Sequence, residues 1–338
     1  MRIAMVTSVE SDIPVVDLSS ALSGEGHEVV VHSARIAADD KGPGQRLQSF
    51  VTTLREQWSD SSPEVVHTHS WTAGLAALFA ARPLGIPVVH TFHDAGRGPV
   101  ERVNVERAVC RSAVRVVATS GDELPALLRL GVERSKVSVV PYGVDRRRFA
   151  PEGPSALRGS THRIVTAAPD GLPHELVTAL RALPEAELLV LDGTPAVDDL
   201  AEELGVADRV VRLAAADDDL PALFRSADIV VCGPWCERPS VLAMQAMACG
   251  VAVVSTMTTE GMADVVVNHV TGMIPSQRGT GGLSRLLNGL LVDTARREAY
   301  AIAGTDRVSA RYGIERVAGG IAEVYASAVH CGLDRAGS

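Results

Sequence analysis

Short runs of hydrophobic residues recur along this chain, separated by longer segments in which apolar and polar positions are mixed. They lie at residues 3–6, 29–31, 65–67, 88–91, 114–118 and 137–140, and then at 164–166, 188–191, 210–213, 229–232 and 251–254. A short run that is apolar on both faces is typical of a strand in a parallel sheet, and the segments between the runs are long enough for helices. The alternation predicts an α/β fold with two doubly wound parallel sheets.

A polar stretch at residues 146–160, with two prolines and two glycines, separates the two sets of runs. Such a composition is typical of a linker between domains. We therefore predict a Rossmann-like domain at 1–150 and a second one at 161–313. Because ligands of open parallel sheets bind beyond the carboxyl ends of the strands, functional residues are expected in the loops that follow the strands.

The segment after the run at 229–232 is a candidate for an anion-binding helix. Glu237, Arg238 and Pro239 precede a series of small and apolar residues that ends at Gly250. Proline is favoured at the first position of a helix and glycine just beyond its end, so the pattern predicts a buried helix that begins at Pro239. The amides and the positive dipole end at the start of this helix could face an anion. Alternatively, Glu237 could simply complement the helix dipole, which would stabilise the helix by a few tenths to ~1 kcal/mol.

Composition excludes several classes of function. Of the 338 residues, 46% are apolar, and the formal net charge is −9, which argues against a nucleic-acid partner. The five cysteines are odd in number and lack a metal-ligand spacing, which favours reduced, buried thiols. The first run begins almost at residue 1 and no apolar run approaches a membrane span, so we expect a cytoplasmic protein without an integral membrane segment. Neither a nicotinamide fingerprint nor a P-loop is present in the sequence.

Three segments resemble retaining GT-B glycosyltransferases of family 4: VVHTHSWTAGLAALFAARPLGIPVVHTFHDAG, VSVVPYGVDRRRFAPEG and PWCERPSVLAMQAMACGVAVVS. The resemblance covers nearly the whole chain. It implies the GT-B architecture, in which two Rossmann-like domains face each other across a cleft and a C-terminal helix, here at 314–330, crosses back to the first domain. It further implies transfer of a hexose, with retention, from a nucleotide-diphosphate sugar to a hydroxyl of a small molecule or glycan, and no metal or other cofactor.

The same resemblance implies which residues bind the donor. Glu237 matches the first glutamate of the family's E-x7-E motif, which contacts the donor sugar. Gln245 stands where the second glutamate holds the ribose, and an amide can still bind ribose hydroxyls. The start of the helix, which would face the diphosphate, consists of Pro239, Ser240 and Val241.

Three further residues are expected near the reacting sugar and the acceptor. His93 matches the family's histidine beside the reacting sugar, although a histidine satisfied within its own loop would fit the pattern as well. His69, at the tip of a strand, and Tyr142 are expected on the acceptor side, whereas His67 is expected in the core. These histidines have no carboxylate or cysteine at a ligand spacing, which argues against a metal site.

The chain departs from the family pattern at its phosphate-binding elements. In the segment RIVTAAPDGLPHELVTAL the arginine and lysine that neutralise the leaving diphosphate in the family are missing, and Asp170 adds negative charge. The family's glycine pair after the first strand is also missing. Arg238 and His174 are candidates to compensate, since a guanidinium binds phosphate in a bidentate manner and a protonated imidazole could replace the lysine. Arg238 could equally be a solvated surface arginine.

Two functions follow as alternatives. One is an active glycosyltransferase. The other is a catalytically degenerate glycosyltransferase fold that acts as a binding or scaffold subunit of a partner enzyme. In either case the chain could associate with a partner glycosyltransferase or form a homo-oligomer. Release of nucleoside diphosphate from the donor would distinguish them, because only the enzyme produces it.

Overall fold

A computed structural model describes residues 1–7, 13–33, 43–92, 96, 99–169, 171–214, 219–259, 261–275 and 279–336. The chain divides into two compact units. Unit 1 contains Met1–Gly143 and Ile314–Ser338, and unit 2 contains Val144–Gly313.

Unit 1 is built on a parallel sheet of six strands in the order β2-β1-β3-β4-β5-β6. The strands are β1 (Arg2–Thr7), β2 (Glu28–Ser33), β3 (Val65–Thr68), β4 (Val88–Thr91), β5 (Arg115–Ala118) and β6 (Val137–Val139). The helices are α1 (Ile13–Gly24), α2 (Pro43–Asp60), α3 (Trp71–Ala81), α4 (Val100–Ser112), α5 (Leu124–Arg129) and the C-terminal α13 (Ile314–Ala336).

Both faces of this sheet are covered by helices. Alternate residues of β1 point to opposite sides. Ile3 and Met5 pack with residues of α1 and α13, whereas Ala4 and Val6 pack with residues of α2 and α3. This two-sided burial explains why the strands have continuous hydrophobic sequences rather than alternating ones.

Unit 2 has a second parallel sheet, in the order β12-β11-β10-β7-β8-β9. Its strands are β7 (His162–Ala167), β8 (Ala186–Leu191), β9 (Val210–Leu213), β10 (Ile229–Cys232), β11 (Ala252–Ser255) and β12 (Gly272–Met273). Its helices are α6 (His174–Ala179), α7 (Ala196–Glu203), α8 (Leu220–Arg225), α9 (Pro239–Ala248), α10 (Met262–Val265), α11 (Thr280–Val292) and α12 (Thr294–Arg311).

The predicted α/β fold with two doubly wound parallel sheets is confirmed, and each predicted strand overlaps an observed one. The sequence pattern missed β12, because a strand of two residues leaves no hydrophobic run to detect. It pairs with β11 at the edge of the second sheet, where Val253 lies opposite Gly272.

Candidate functional site

The helix α9 begins at Pro239, as the sequence predicts, directly beyond β10. Nine of its ten residues are buried, because all of them except Gln245 are small or apolar and the helix packs against α12 and β10. The first amides of a helix have no partner within it, so the start of α9 presents donors and a positive dipole end at the carboxyl edge of the sheet.

An ion pair lies at this helix start. The Arg238 guanidinium Nη2 is 3.5 Å from Glu237 Oε1. The Glu237 side chain is 58% exposed and the Arg238 side chain 26% exposed, so both can be reached by a ligand. A guanidinium can bind phosphate oxygens with parallel hydrogen bonds and a carboxylate can accept from hydroxyls, so the pair offers both kinds of contact.

The other predicted donor residues extend along α9. Pro239 and Ser240 are buried, and Val241 is half-buried at the end of the first turn. Gln245 is 7% exposed and lies on the same helix, eight residues after Glu237 in the sequence. The structure thus groups Glu237 with the helix start, whereas Gln245 belongs to the buried body of the helix.

Trp235 fills the space between β10 and the loop that follows β7. Its indole Nε1 donates to Thr166 Oγ1 at 2.8 Å. A Cβ built on Gly171 would come within 2.8 Å of Trp235 Cα, and one built on Gly233 would meet the indole ring at 2.5 Å. Both glycines therefore allow the backbone to pack tightly around this side chain.

His174, the predicted substitute for the missing lysine, is the first residue of α6, and its side chain is exposed. Asp170 lies outside the described residues. Gly171 thus packs closely against Trp235, and His174 presents its imidazole to solvent.

Cys232, the last residue of β10, has a fully buried thiol. Burial, followed by the neighbouring Cys236, raises the pKa of the Cys232 thiol well above its usual value. The Cys236 sulfur accepts from the Gly233 amide at 3.5 Å. Both cysteines are free and buried, so their sulfurs act as packing groups, consistent with the expectation of reduced, buried thiols.

A cluster of histidines lies at the carboxyl ends of β3 and β4 in unit 1. His67 is fully buried, and its two ring nitrogens lie 2.7 Å from the Tyr325 hydroxyl and 2.8 Å from Thr91 Oγ1. The rings of His67 and His69 are 4.1 Å apart between centroids. His67 is thus a core residue with two hydrogen-bonding partners, while His69 packs on its ring.

His69 and Tyr142 line one small cavity of unit 1, of about 40 Å³, which Thr91 and Thr119 also line. His69 is 6% exposed, and its amide donates to Val6 O at 3.0 Å. Tyr142 is half-buried. His93 lies outside the described residues.

The sequence prediction missed Trp235, Thr166, Thr91 and Thr119. Trp235 could have been found from the sequence. It follows Gly233, just beyond the end of β10, by two residues, and a tryptophan in that position can fold back over the glycine. The two threonines of unit 1 carried no signal, because a threonine at the end of a strand is equally suited to a purely structural role.

The described part of the chain contains no group of three or more His, Cys, Asp or Glu side chains that could hold a metal ion. Among the helices whose residues are described, none has both the length and the hydropathy needed to cross a bilayer.

Two family matches cover the two halves of the chain. Residues 15–148 match Glycosyltransferase Family 4, and residues 171–307 match Glycosyl transferases group 1. The chain is 31% identical over 328 residues to a D-inositol 3-phosphate glycosyltransferase from Xylanimonas cellulosilytica, covering 85% of this chain and 78% of that protein. A protein of the same name from Salinispora arenicola is 29% identical, with 95% and 84% covered.

Solved structures with the same fold include sucrose-phosphate synthase from Thermosynechococcus elongatus. The TM-score is 0.82 at 20% identity, with 97% of this chain and 98% of that chain covered. HepE from Anabaena, in complex with UDP and glucose, has a TM-score of 0.78 at 20% identity, with 97% and 100% covered. These likenesses identify the architecture as GT-B.

Three findings indicate the same family. They are the order of strands in both sheets, the buried helix that follows Glu237, and the relatives that match nearly the entire sequence. The chain belongs to the family 4 glycosyltransferases of the GT-B fold.

Proposed function

We propose that this glycosyltransferase transfers a hexose from a nucleotide-diphosphate sugar to a hydroxyl acceptor, with retention of configuration at the sugar. Glu237 holds the donor sugar, Gln245 contacts the ribose, and the diphosphate binds at the start of α9. The nucleotide sugar is a co-substrate, and the reaction requires no metal or other cofactor.

The observation that carries this proposal is the pairing of Glu237 with Arg238 at the mouth of α9. A helix start with a guanidinium beside it is suited to a diphosphate, because aligned amides and a charged fork both stabilise phosphate oxygens. A carboxylate 3.5 Å from that guanidinium is suited to sugar hydroxyls, because an ionised carboxylate only accepts hydrogen bonds. HepE from Anabaena, a structural neighbour, has been solved in complex with UDP-glucose.

The missing arginine and lysine of the phosphate loop do not exclude catalysis. Glycosyl transfer depends largely on positioning and on preorganised charge. Arg238 and the amides of α9 supply that charge on one side of the diphosphate, and His174 contributes on the other.

The acceptor presents a hydroxyl. Several relatives are named for D-inositol 3-phosphate, a polyol. On unit 1 we propose His69 and Tyr142 as acceptor-side residues, because both line one cavity and both can exchange hydrogen bonds with a hydroxyl. His93 remains a predicted residue of the reacting site.

The test is calorimetric titration of the full chain with UDP, GDP, ADP and dTDP, followed by the matching nucleotide sugars. We expect one base to bind with micromolar affinity or better. The same nucleotide sugar should then release its nucleoside diphosphate on incubation with the protein and an acceptor polyol.

Glu237→Gln is the matched variant, because it keeps the size of the side chain and removes its charge. It should leave the affinity for the nucleoside diphosphate within a few-fold and slow release from the nucleotide sugar about a hundredfold, the size expected for a lost transition-state contact. Failure of all four nucleotides to bind would refute the proposal and favour the scaffold function.

A further inference from the structure

Three polar side chains on neighbouring strands form a diagonal row along the small cavity of unit 1. His67 of β3 lies opposite Val89 of β4, two residues before Thr91. Thr91 lies opposite Val117 of β5, two residues before Thr119. Because residues two apart along a strand point to the same face, the row stays on one side of the sheet, and its neighbours are about 8 Å apart between Cα atoms. His67, Thr91 and Thr119 all line the cavity.

The size of the cavity limits what it can hold. Its volume is about 40 Å³. A molecule of liquid water occupies about 30 Å³, so the space suits one hydroxyl group rather than a whole sugar. His67 and Thr91 are buried, whereas Thr119, Tyr142 and Gly143 are half-buried. A ligand would therefore enter from the side of Thr119 and Tyr142.

The hydrogen bonds behind Thr91 determine the polarity of its hydroxyl. Burial raises the pKa of the Tyr325 hydroxyl well above its usual value, so this group keeps its proton. Among the residues that the structure describes, the Tyr325 hydroxyl is hydrogen-bonded to His67 Nδ1, at 2.7 Å, and a buried hydroxyl that donates to nothing is costly. Nδ1 therefore accepts, and the ring proton lies on Nε2, 2.8 Å from Thr91 Oγ1. Since Thr91 Oγ1 accepts from His67, its own proton is available to a group in the cavity.

The Thr119 hydroxyl has the opposite polarity. Its Oγ1 lies 2.5 Å from Glu123 Oε1, and the Thr119 amide donates to Glu123 Oε2 at 2.8 Å. An ionised carboxylate only accepts, so the Thr119 hydroxyl donates to Glu123 and its oxygen can accept from a group in the cavity. The row thus offers one donor, Thr91, and one acceptor, Thr119. This combination complements a hydroxyl group, which both donates and accepts.

We infer that this cavity binds one hydroxyl group of the acceptor substrate. Thr91 donates a hydrogen bond to the oxygen of that hydroxyl, and the hydroxyl donates a hydrogen bond to Thr119. Tyr325, His67 and Glu123 are positioning residues, which act by fixing the polarity of the two threonines. The inference rests on the proposed function for the identity of the ligand as an acceptor, whereas the preference for a hydroxyl group follows from the contacts within unit 1.

The first experiment determines which nitrogen of His67 carries the ring proton in the full chain. NMR spectra of the chain with ¹⁵N-labelled histidine distinguish the two ring nitrogens, and the His67 signals are assigned by their change in Tyr325→Phe, which removes only the contact at Nδ1. We expect the proton on Nε2. A proton on Nδ1 would overturn the inference, because Thr91 would then donate to His67 and have no proton for the cavity.

The second experiment titrates the full chain with glycerol and, separately, with 1,2,3-trimethoxypropane, in which every hydroxyl is a methyl ether. Binding is followed through the NMR signal of the Val117 amide, since Val117 also lines the cavity. Glycerol should shift this signal in a saturable manner. It should bind at least about fivefold more tightly than the ether, because an ether oxygen accepts but cannot donate.

Variants of the two threonines test the polarity of each contact. Thr91→Val keeps the shape and removes the donor, so it should weaken glycerol binding about fivefold, the effect of one hydrogen bond. Thr91→Ser retains the hydroxyl and should restore binding, which a purely structural role of Thr91 would not predict. Thr119→Val should weaken binding to a similar extent. Thr52→Val is the control, because Thr52 is exposed on α2 and does not line the cavity.

Equal affinities for glycerol and the ether would overturn the inference. So would the absence of a saturable shift in the wild-type chain, or an affinity for glycerol in Thr91→Val equal to that of the wild type. Failure of all four nucleotides to bind would refute the proposed reaction instead, and the results with His67 and glycerol would still decide whether the cavity recognises a hydroxyl group.

Discussion

The Tyr325 hydroxyl lies 2.7 Å from Nδ1 of His67, which binds the C-terminal helix α13 to the end of β3 across 258 positions of sequence. Both side chains are fully buried. The hydrogen bond joins a residue of the histidine cluster to a helix whose position depends on packing against α1 and the sheet.

Tyr325→Phe should lower the free energy of unfolding of unit 1 by about 1–3 kcal/mol, because it leaves a buried imidazole nitrogen without its partner at no change in shape. Thermal and urea unfolding followed by circular dichroism measure this loss. Tyr300→Phe is the control: its hydroxyl contacts the weak acceptor Met273 Sδ, at 3.2 Å, so its effect should be smaller. Equal effects of the two variants would contradict a specific role for the His67 contact.

Arg238→Ala should weaken binding of the preferred nucleoside diphosphate at least about tenfold and leave binding of the corresponding nucleoside nearly unchanged. The reason is that the guanidinium acts on phosphate oxygens rather than on the base. The wild-type affinity should also fall more steeply with added salt than that of the variant. An unchanged diphosphate affinity in Arg238→Ala would make Arg238 a surface residue with no part in donor binding.

Gly171→Ala should destabilise unit 2 by about 1–3 kcal/mol, because the added methyl would meet the Trp235 backbone at 2.8 Å. Gly289→Ala is the matched control, because its methyl would enter open space. It should stabilise α11 by up to about 1 kcal/mol. Midpoints of thermal unfolding compare the two, and a stabilising Gly171→Ala would show that the loop after β7 is free to move away from Trp235.

Below neutral pH, the free energy of unfolding of unit 1 should increase as the pH increases, and His32 is the reason. Burial lowers the pKa of the His32 imidazole below its ordinary value of 6.5, while a hydrogen bond with Gln57 opposes that shift. The folded chain therefore binds this proton less readily than the unfolded chain. The contribution of His32 to the free energy of unfolding is complete above pH 6.5, the ordinary pKa of the imidazole. It is lost as the pH falls from there towards the lower pKa of His32 in the folded chain.

Besides burial, a contact with the Trp58 indole favours the neutral ring, since its Nε1 donates to His32 Nε2 at 3.4 Å and a protonated ring cannot accept. His32→Gln should flatten the dependence of the unfolding midpoint on pH below pH 6.5. A pH dependence that is identical in the variant and the wild type would assign it to other groups.

The sequence by itself determined the fold class and the position of α9. Strands buried on both faces must be continuously hydrophobic, so runs such as 229–232 are visible without any tertiary information. The bounds of α9 are equally a local property. The preference for proline at the first position of a helix and for glycine just beyond its end depends only on backbone geometry. Glu237 and Arg238 could be singled out for the same reason.

Only the tertiary structure decided which distant side chains meet. The contact of His67 with Tyr325 joins residues from distant parts of the chain, and no periodicity encodes such a pair. The small cavity of unit 1 is likewise lined by side chains that are far apart in the sequence, among them His69, Tyr142 and Ile321. The backbone geometry of a helix or strand depends on each residue and its neighbours in the sequence. The contact that a buried side chain makes depends on which of many distant residues is brought next to it, and this is decided only when the whole chain folds.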